Sequence, residues 1–280
     1  MREFEPKTIS EQLLFTTVRI DSENKDGSSS SGTSFIIQYE KDGNHYPFLV
    51  TNRHVVTGSD IGHLRFNKKN NSKAVLGDME ELVLHDFESL WHFHPDITMD
   101  VAVMPIGFVM GAFKAKNKEV FFKSVPNQMI PSKTDFEELD AIEEITTIGY
   151  PKRLRDEFNL MPIVRRGITA THPDIDFDNK PIFLIDAPIF AGASGSPVFI
   201  VNQGMIRKKT GGITMGGNRI LLLGIVARAY SYFEKREIQE KEMANVQVSI
   251  DTQYMDLGVV FKSHVIVETI EHALQELAKK

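Results

Sequence analysis

The chain has 280 residues, a net charge of −6 at neutral pH and no cysteine. This composition excludes disulfides, zinc–thiolate sites and a cysteine nucleophile, and the negative charge predicts no nucleic-acid or membrane partner. The first twenty residues lack the basic start and apolar core of a signal peptide, and no run reaches the roughly 18 apolar residues of a membrane span. A cytoplasmic protein is therefore expected.

Short apolar stretches, rich in β-branched and aromatic residues, recur along the chain between polar, glycine or proline residues. This pattern predicts β-strands at residues 16–20, 34–39, 46–52, 101–106, 182–187, 197–201, 219–230 and 257–263. Loop composition is found at residues 22–32, 41–46, 66–73 and 210–218. Residues 112–145 have no clear period, which indicates a connection with some helix.

The last sixteen residues have the pattern of an amphipathic helix. Ile266, Ile270, Leu274 and Leu277 share one helical face, and lysines follow at the end. Many strands followed by a terminal helix indicate an all-β fold, either a sandwich or a barrel.

The segment from Phe190 to Phe199 reads FAGASGSPVF, with six consecutive small residues between two apolar runs. Gly192 permits a turn closed to other residues, so that the Gly192 and Ser194 amides can converge on one oxygen beside the Ser194 hydroxyl. Such a stretch alone is more often an ordinary turn between strands. The interpretation therefore depends on whether the chain also supplies a base and an acid.

A histidine and an aspartate stand at suitable strand ends. His54 in FLVTNRHVV follows an apolar strand where the chain turns, and Asp100 directly precedes the run VAVMPI. Asp96, four residues earlier, follows a proline. A strand edge holds a carboxylate more rigidly than a loop after proline does, so Asp100 is the preferred acid and Asp96 the alternative.

The segments TNRHVV, MDVAVMPI and GASGSPVF, in this order, resemble the three active-site segments of the chymotrypsin-like (trypsin fold) serine proteases. The order His, Asp, Ser differs from that of subtilisins and α/β-hydrolases. The resemblance extends over about residues 12–275. It is closest to the bacterial, disulfide-free branch with the high-temperature-requirement proteases, here without a PDZ domain.

This resemblance implies two packed six-stranded antiparallel β-barrels followed by a C-terminal α-helix. The expected organisation is a single trypsin-like peptidase domain over residues 1–280. Within it we expect an N-terminal barrel at 10–112, a connection at 113–134, a C-terminal barrel at 135–262 and the helix at 264–279.

The resemblance also implies a role for each site residue. Ser194 would be the nucleophile, His54 the general base and Asp100 the orienting acid, with an oxyanion hole formed by the amides of Gly192 and Ser194. Contacts to substrate would come from Pro188, Ala227, Arg228, Ala229 and Gly258. The pocket floored by Pro188 and walled by Ala229 and Gly258 has no acidic residue, which predicts a small or apolar P1 side chain.

The expected function is a serine endopeptidase that cleaves a protein or peptide substrate through an acyl-enzyme, without cofactor or metal. Ala193 cannot form the ion pair that a freed N-terminus makes in secreted members, which predicts activity gated by a protein partner. The loops at 22–32, 152–160 or 202–218 are candidates for this control. The alternatives are a catalytically silent protease-fold scaffold and an esterase with the same triad.

Two further patterns are weak metal motifs. His92 and His94 alternate before a proline and are interpreted as exposed loop histidines. Residues 174–178 contain three alternating aspartates but lack the glycine and terminal glutamate of a calcium loop.

Overall fold

The computed structural model describes residues 1–151, 156–207, 209–234 and 251–279, with side chains of 230–234 and 251–256 outside this description. The first half of the chain forms one sheet from β1 (Arg2–Phe4), β2 (Thr17–Asn24), β3 (Ser29–Lys41), β4 (Asn44–Thr51), β5 (Ser59–Asn70), β6 (Lys73–His85), β7 (His92–Phe93), β8 (Ala102–Pro105), β9 (Val120–Phe121) and β10 (Val125–Pro126). The second half forms another from β11 (Glu144–Gly149), β12 (Ile163–Thr169), β13 (Ile182–Asp186), β14 (Pro197–Arg207), β15 (Ile213–Glu234) and β16 (Asp251–Lys262). The helices are α1 (Ile9–Leu13), α2 (Arg53–Val56), α3 (Ile106–Ala115), α4 (Lys133–Glu137) and α5 (Ser263–Leu277).

The second sheet is a closed barrel of six strands in the order β11-β12-β13-β16-β15-β14, and all of its pairs are antiparallel. The chymotrypsin-like all-β fold and the C-terminal helix are thus confirmed. The first sheet has ten strands in the order β1-β6-β5-β2-β3-β4-β8-β7, with β9 on β5 and β10 parallel to β3. It exceeds the predicted six because four of its strands have only two or three residues, too few for a hydrophobic period to appear.

Strands β5 and β6 are absent from the sequence prediction, which assigned residues 66–73 to a loop. In the structure these residues are the tip of a hairpin that turns at Asn71, where φ is +52°. Leu64 and Phe66 of β5 are buried, but the residues of the tip are polar because both of its faces meet solvent. Such a strand end has the composition of a loop.

The largest hydrophobic cluster joins the two halves. Phe35 and Val50 of the first sheet pack in one cluster with Phe199 and Leu222 of the barrel, and Ile270 of α5 belongs to the same cluster. Burial at this interface holds the halves and α5 together. None of the helices in the described ranges combines the length and apolar character that a membrane crossing requires.

Helix α5 also contacts the first sheet through carboxylates. His92 Nδ1 lies 2.6 Å from Glu276, and His94 Nε2 lies 3.2 Å from Glu268. The interpretation of these histidines as exposed is wrong: His94 is only 7% exposed, because α5 packs against β7 and covers it. The Tyr39 hydroxyl donates to Glu271 at 2.7 Å, and burial together with this carboxylate raises the pKa of Tyr39 to about 12.

The aspartate-rich segment near residue 176 binds the ammonium group of a lysine side chain. The ammonium of Lys262, whose side chain is 4% exposed, donates to the Asp174 carbonyl at 2.8 Å and pairs with the Asp176 carboxylate. A buried ammonium requires such partners. These oxygen atoms therefore stabilise the end of β16.

Candidate active site

His54 and Asp100 reach the same end of the first sheet because their strands are antiparallel neighbours. Thr51, the last residue of β4, pairs with Ala102, the first residue of β8. His54 follows β4 by three residues, on the single turn of α2, and Asp100 precedes β8 by two. The Asn52 side chain donates to the Asp100 carbonyl at 2.7 Å and fixes the two strand ends together.

The Asp100 carboxylate binds His54 twice. Oδ2 lies 2.6 Å from Nδ1 of His54, and Oδ1 accepts the backbone N–H of His54 at 3.0 Å. An ionised carboxylate only accepts hydrogen bonds, so the imidazole carries its proton on Nδ1 and leaves Nε2 free to accept one. The His54 side chain is half exposed, and Nε2 is available to a group in the cleft.

Asp96, the alternative acid, is engaged elsewhere. Its Oδ1 accepts the backbone N–H and the hydroxyl of Thr98, both at 2.8 Å. These hydrogen bonds hold the pKa of Asp96 below its usual value. Among the described residues it is Asp100, and not Asp96, that contacts His54.

The segment between β13 and β14, residues 187–196, is called the serine turn. It is a tight turn with two glycines in left-handed conformation. Gly192 has φ +92° and Gly195 has φ +87°. The Ser194 hydroxyl donates to the Ala227 carbonyl at 3.1 Å. A bulge in β15 between Val226 and Arg228 takes that carbonyl out of the regular ladder with β16, so it can accept this bond.

Two N–H groups of this turn are unpaired. Ala193 N–H donates to Phe190 O at 2.9 Å, and Ser196 N–H donates to Ala193 O at 3.0 Å. Within the described ranges, the N–H groups of Gly192 and Ser194 have no acceptor. Two free backbone donors, one on Ser194 and one two residues before it, can stabilise a developing oxyanion if they point to the same side of the turn.

Strand β3 brings the two halves into contact at the site. A Cβ placed on Gly32 would lie 2.7 Å from Val55, the neighbour of His54, and 3.3 Å from the Ser194 carbonyl oxygen. Glycine at this position therefore lets α2 and the serine turn approach the same strand. The structure thus brings α2, which carries His54, and the carbonyl of Ser194 against the same residue of β3.

Thr33 also contacts the serine turn, although nothing in the sequence analysis singled it out. It is fully buried, its N–H donates to Ser194 O at 2.8 Å, and its hydroxyl donates to Gly192 O at 3.1 Å. The available signal was a threonine beside Gly32, one residue before the predicted strand at 34–39.

Tyr150 connects Thr33 to the segment that follows β11. Its backbone N–H donates to the Thr33 hydroxyl at 2.9 Å, and its own hydroxyl donates to Leu160 O at 3.1 Å. Burial raises the pKa of Tyr150 to about 12, so this phenol stays protonated and remains a donor. Leu160 lies in the 152–160 loop, of which residues 152–155 are outside the described ranges.

The predicted specificity pocket contains a side chain that the sequence analysis did not assign. Ala227 and Gly258 are buried, Ala229 is half-buried, and Pro188 and Arg228 are exposed. A Cβ on Gly258 would lie 2.9 Å from Cγ1 of Ile189, which is 5% exposed. Ile189 therefore fills the space above Gly258. The sequence offers only an isoleucine between Pro188 and Phe190, which does not by itself indicate this contact.

The fold is that of the chymotrypsin-like peptidases. The family model of the trypsin-like peptidase domain matches residues 32–206, more than half of the chain. The chain belongs to the trypsin-like peptidase domain family. No curated protein gives a significant sequence match.

Matches to solved structures are distant in sequence. The HtrA-type protease AlgW with tripeptide is 14% identical, at a TM-score of 0.47, over 92% of this chain and 60% of AlgW. The Rv3671c protease of M. tuberculosis is 16% identical, at a TM-score of 0.44, over 96% of this chain and 87% of that one. The serine endoprotease of Yersinia pestis is 15% identical, at a TM-score of 0.49, over 97% of this chain and 68% of that one. This chain thus spans three fifths of the length of AlgW.

Substitution of Gly195 tests whether the two halves of the molecule approach each other as closely as the structure shows. A Cβ there would lie 1.8 Å from the Thr33 carbonyl oxygen, whereas at Gly211, with nearly the same φ of +88°, it would meet nothing within 4 Å. Both alanine variants carry the left-handed strain, but only Gly195→Ala must displace the serine turn. We expect Gly195→Ala to abolish labelling by a fluorophosphonate and Gly211→Ala to keep it. Equal labelling of the two variants would contradict the contact.

Proposed function

We propose that the chain is a serine endopeptidase in which Ser194 attacks the substrate carbonyl and His54 Nε2 takes the serine proton. Asp100 holds the imidazole and stabilises its charged form, and the Gly192 and Ser194 N–H groups bind the oxyanion. The observation that carries the proposal is the 2.6 Å bond from the Asp100 carboxylate to Nδ1 of His54.

The reaction follows from these groups. Collapse of the tetrahedral intermediate gives an acyl-enzyme on Ser194 Oγ, and His54 returns the proton to the leaving amine. A water, deprotonated by His54, then releases the acid product. In the unliganded protein the Ser194 hydroxyl is bonded to Ala227 O, so attack requires rotation of that hydroxyl towards His54. Catalytic hydrogen bonds of this kind often form only with substrate present.

We further propose that residues 10–112 and 135–262 act as the two halves of one peptidase domain, with the cleft between them. The composition favours a cytoplasmic location, in a bacterium by the resemblance of the motifs. A peptide substrate would run past Ala227–Ala229, because the Ala227 carbonyl lies at the nucleophile.

A catalytically silent binding protein is the second candidate. Two observations favour it: the Ser194 hydroxyl is bonded to Ala227 O, and Ile189 packs against Gly258, a residue of the predicted pocket. The pairing of His54 with Asp100 favours the peptidase, because a binding protein has no need of an oriented base. A reaction with an electrophile at Ser194 separates the two.

Replacement of the nucleophile gives the direct test. We expect Ser194→Ala to lose fluorophosphonate labelling and about 10⁶-fold in turnover, the scale known for the nucleophile of subtilisin. Ser196→Ala is the matched control, since its hydroxyl is buried and has no partner among the described residues, so that its loss is nearly neutral.

The assay compares labelling of native chain, S194A and S196A, followed by a peptide library and a panel of small esters. Labelling that persists in S194A, or a native chain that never reacts, would rule out the peptidase. Turnover of esters alone would favour the esterase.

Ile189 predicts a preference for small P1 side chains. Because Ile189 fills the space above Gly258, we expect Ile189→Ala to make room for a larger P1 side chain. The kcat/KM for leucine at P1, divided by that for alanine, should rise by about 10-fold or more, the effect of one or more extra methylene groups in an apolar pocket. Ile189→Val, a smaller truncation, should shift the ratio less. An unchanged ratio in both variants would show that the pocket lies elsewhere.

We also propose that a protein partner gates the activity, through the loops at 22–32, 152–160 or 202–218, of which residues 152–155 and 208 lie outside the described ranges. The bond of Ser194 to Ala227 and the filled pocket support a resting form, and Tyr150 links Leu160 to Thr33. We expect fractionated cell extract to raise peptidase activity of native chain but not of S194A. Equal activity with and without extract would contradict gating.

A further inference from the structure

Thr33 directs two polar groups at the serine turn from a buried position on the opposite half of the molecule. Its N–H donates to the Ser194 carbonyl at 2.8 Å, and its hydroxyl donates to the Gly192 carbonyl at 3.1 Å. It is fully buried on β3. A buried hydroxyl with fixed partners is costly to misplace, because each lost partner leaves a desolvated polar group.

The orientation of the Thr33 hydroxyl is determined by its second partner. The Tyr150 N–H donates to Thr33 Oγ1 at 2.9 Å, so the proton of the hydroxyl points to Gly192 O. The Thr33 carbonyl is held in turn by the Thr51 hydroxyl at 2.7 Å. Thr33 therefore joins β4, β11 and the serine turn at one buried point.

These bonds act on the residues whose N–H groups are free. The two bonds hold the peptide groups that follow the free N–H groups. The Gly192 carbonyl belongs to the Gly192–Ala193 peptide, and the Ser194 carbonyl belongs to the Ser194–Gly195 peptide. Gly192 needs this restraint most, since glycine has the widest conformational freedom of any residue and its φ here is +92°. The free N–H groups of Gly192 and Ser194 are thus restrained through the peptide groups that come directly after them.

We propose that the Thr33 hydroxyl is a positioning group for the oxyanion hole, which it holds in shape through the Gly192 carbonyl. The inference rests on the proposed function and adds a residue to it. Thr33 touches neither substrate nor reacting atoms, so its effect passes through Gly192. It also makes the oxyanion hole, which belongs to the second half, depend on docking of the first.

The test compares Thr33→Val, which removes the hydroxyl and keeps the shape, with Thr33→Ser, which keeps the hydroxyl. The probe is a fluorophosphonate, whose phosphoryl oxygen occupies the oxyanion hole when Ser194 reacts. We expect the second-order labelling rate of T33V to fall about 10- to 100-fold, the size of effect that a displaced catalytic group produces. T33S should stay within about threefold of the native rate, because its hydroxyl keeps the bond.

A second measurement separates positioning from general damage. For a cleaved peptide, T33V should lower kcat with KM nearly unchanged, and weaken binding of the matching peptide boronate but not of the product peptide, because only the tetrahedral adduct uses the oxyanion hole. If T33V does not fold by circular dichroism, Thr33→Cys, with its weak S–H donor, replaces it and should show an intermediate loss.

Labelling of folded T33V or T33C at the native rate would overturn the inference and leave the proposed function intact. Equal losses in T33V and T33S would also overturn it, since a variant that keeps the hydroxyl would then be as impaired as one that lacks it. Failure of the native chain to label, or labelling that survives Ser194→Ala, would overturn the proposed function itself.

Discussion

The Thr33 carbonyl lies so close to Gly195 that a Cβ on Gly195 would be 1.8 Å from its oxygen. At this point the two halves of the molecule touch through backbone, without side chains between them. Gly32 gives the same freedom on the other side, where a Cβ would reach Val55 at 2.7 Å. Because Gly32 and Gly195 have no side chain, Thr33 can form hydrogen bonds to the serine turn directly. The cleft depends on this contact, since each half carries only part of the chemistry.

The two halves position their groups by different physical means. Strand pairing sets His54 and Asp100, because β4 and β8 are hydrogen-bonded neighbours and both residues lie just beyond the paired ends. The serine turn has no regular ladder, and its shape depends on two left-handed glycines and on bonds to Thr33. Preorganised donors cost no reorganisation during reaction. Paired strands and a turn held by hydrogen bonds can each preorganise catalytic groups in this way.

The resting geometry and a working peptidase are compatible on energetic grounds. A single hydrogen bond such as that from Ser194 to Ala227 O contributes about 1 kcal/mol net. Exchange of this acceptor for His54 therefore changes populations by less than about tenfold. The packing of Ile189 on Gly258 is a stronger restraint, because it involves a buried aliphatic side chain. Under the proposed function, Ile189 therefore restrains substrate binding more than the serine rotamer does.

Local periodicity and short motifs with a required order are enough to predict the all-β class, the terminal helix, most of the longer strands and the choice of His54, Asp100 and Ser194. Strands β5 and β6 are missing from that prediction, since the exposed tip of their hairpin has the composition of a loop. The contacts of Thr33 and Ile189 exist only in the folded chain. Both act through contacts with residues far away in sequence, Gly192 for one and Gly258 for the other, and no local pattern encodes which distant backbone a buried side chain will meet.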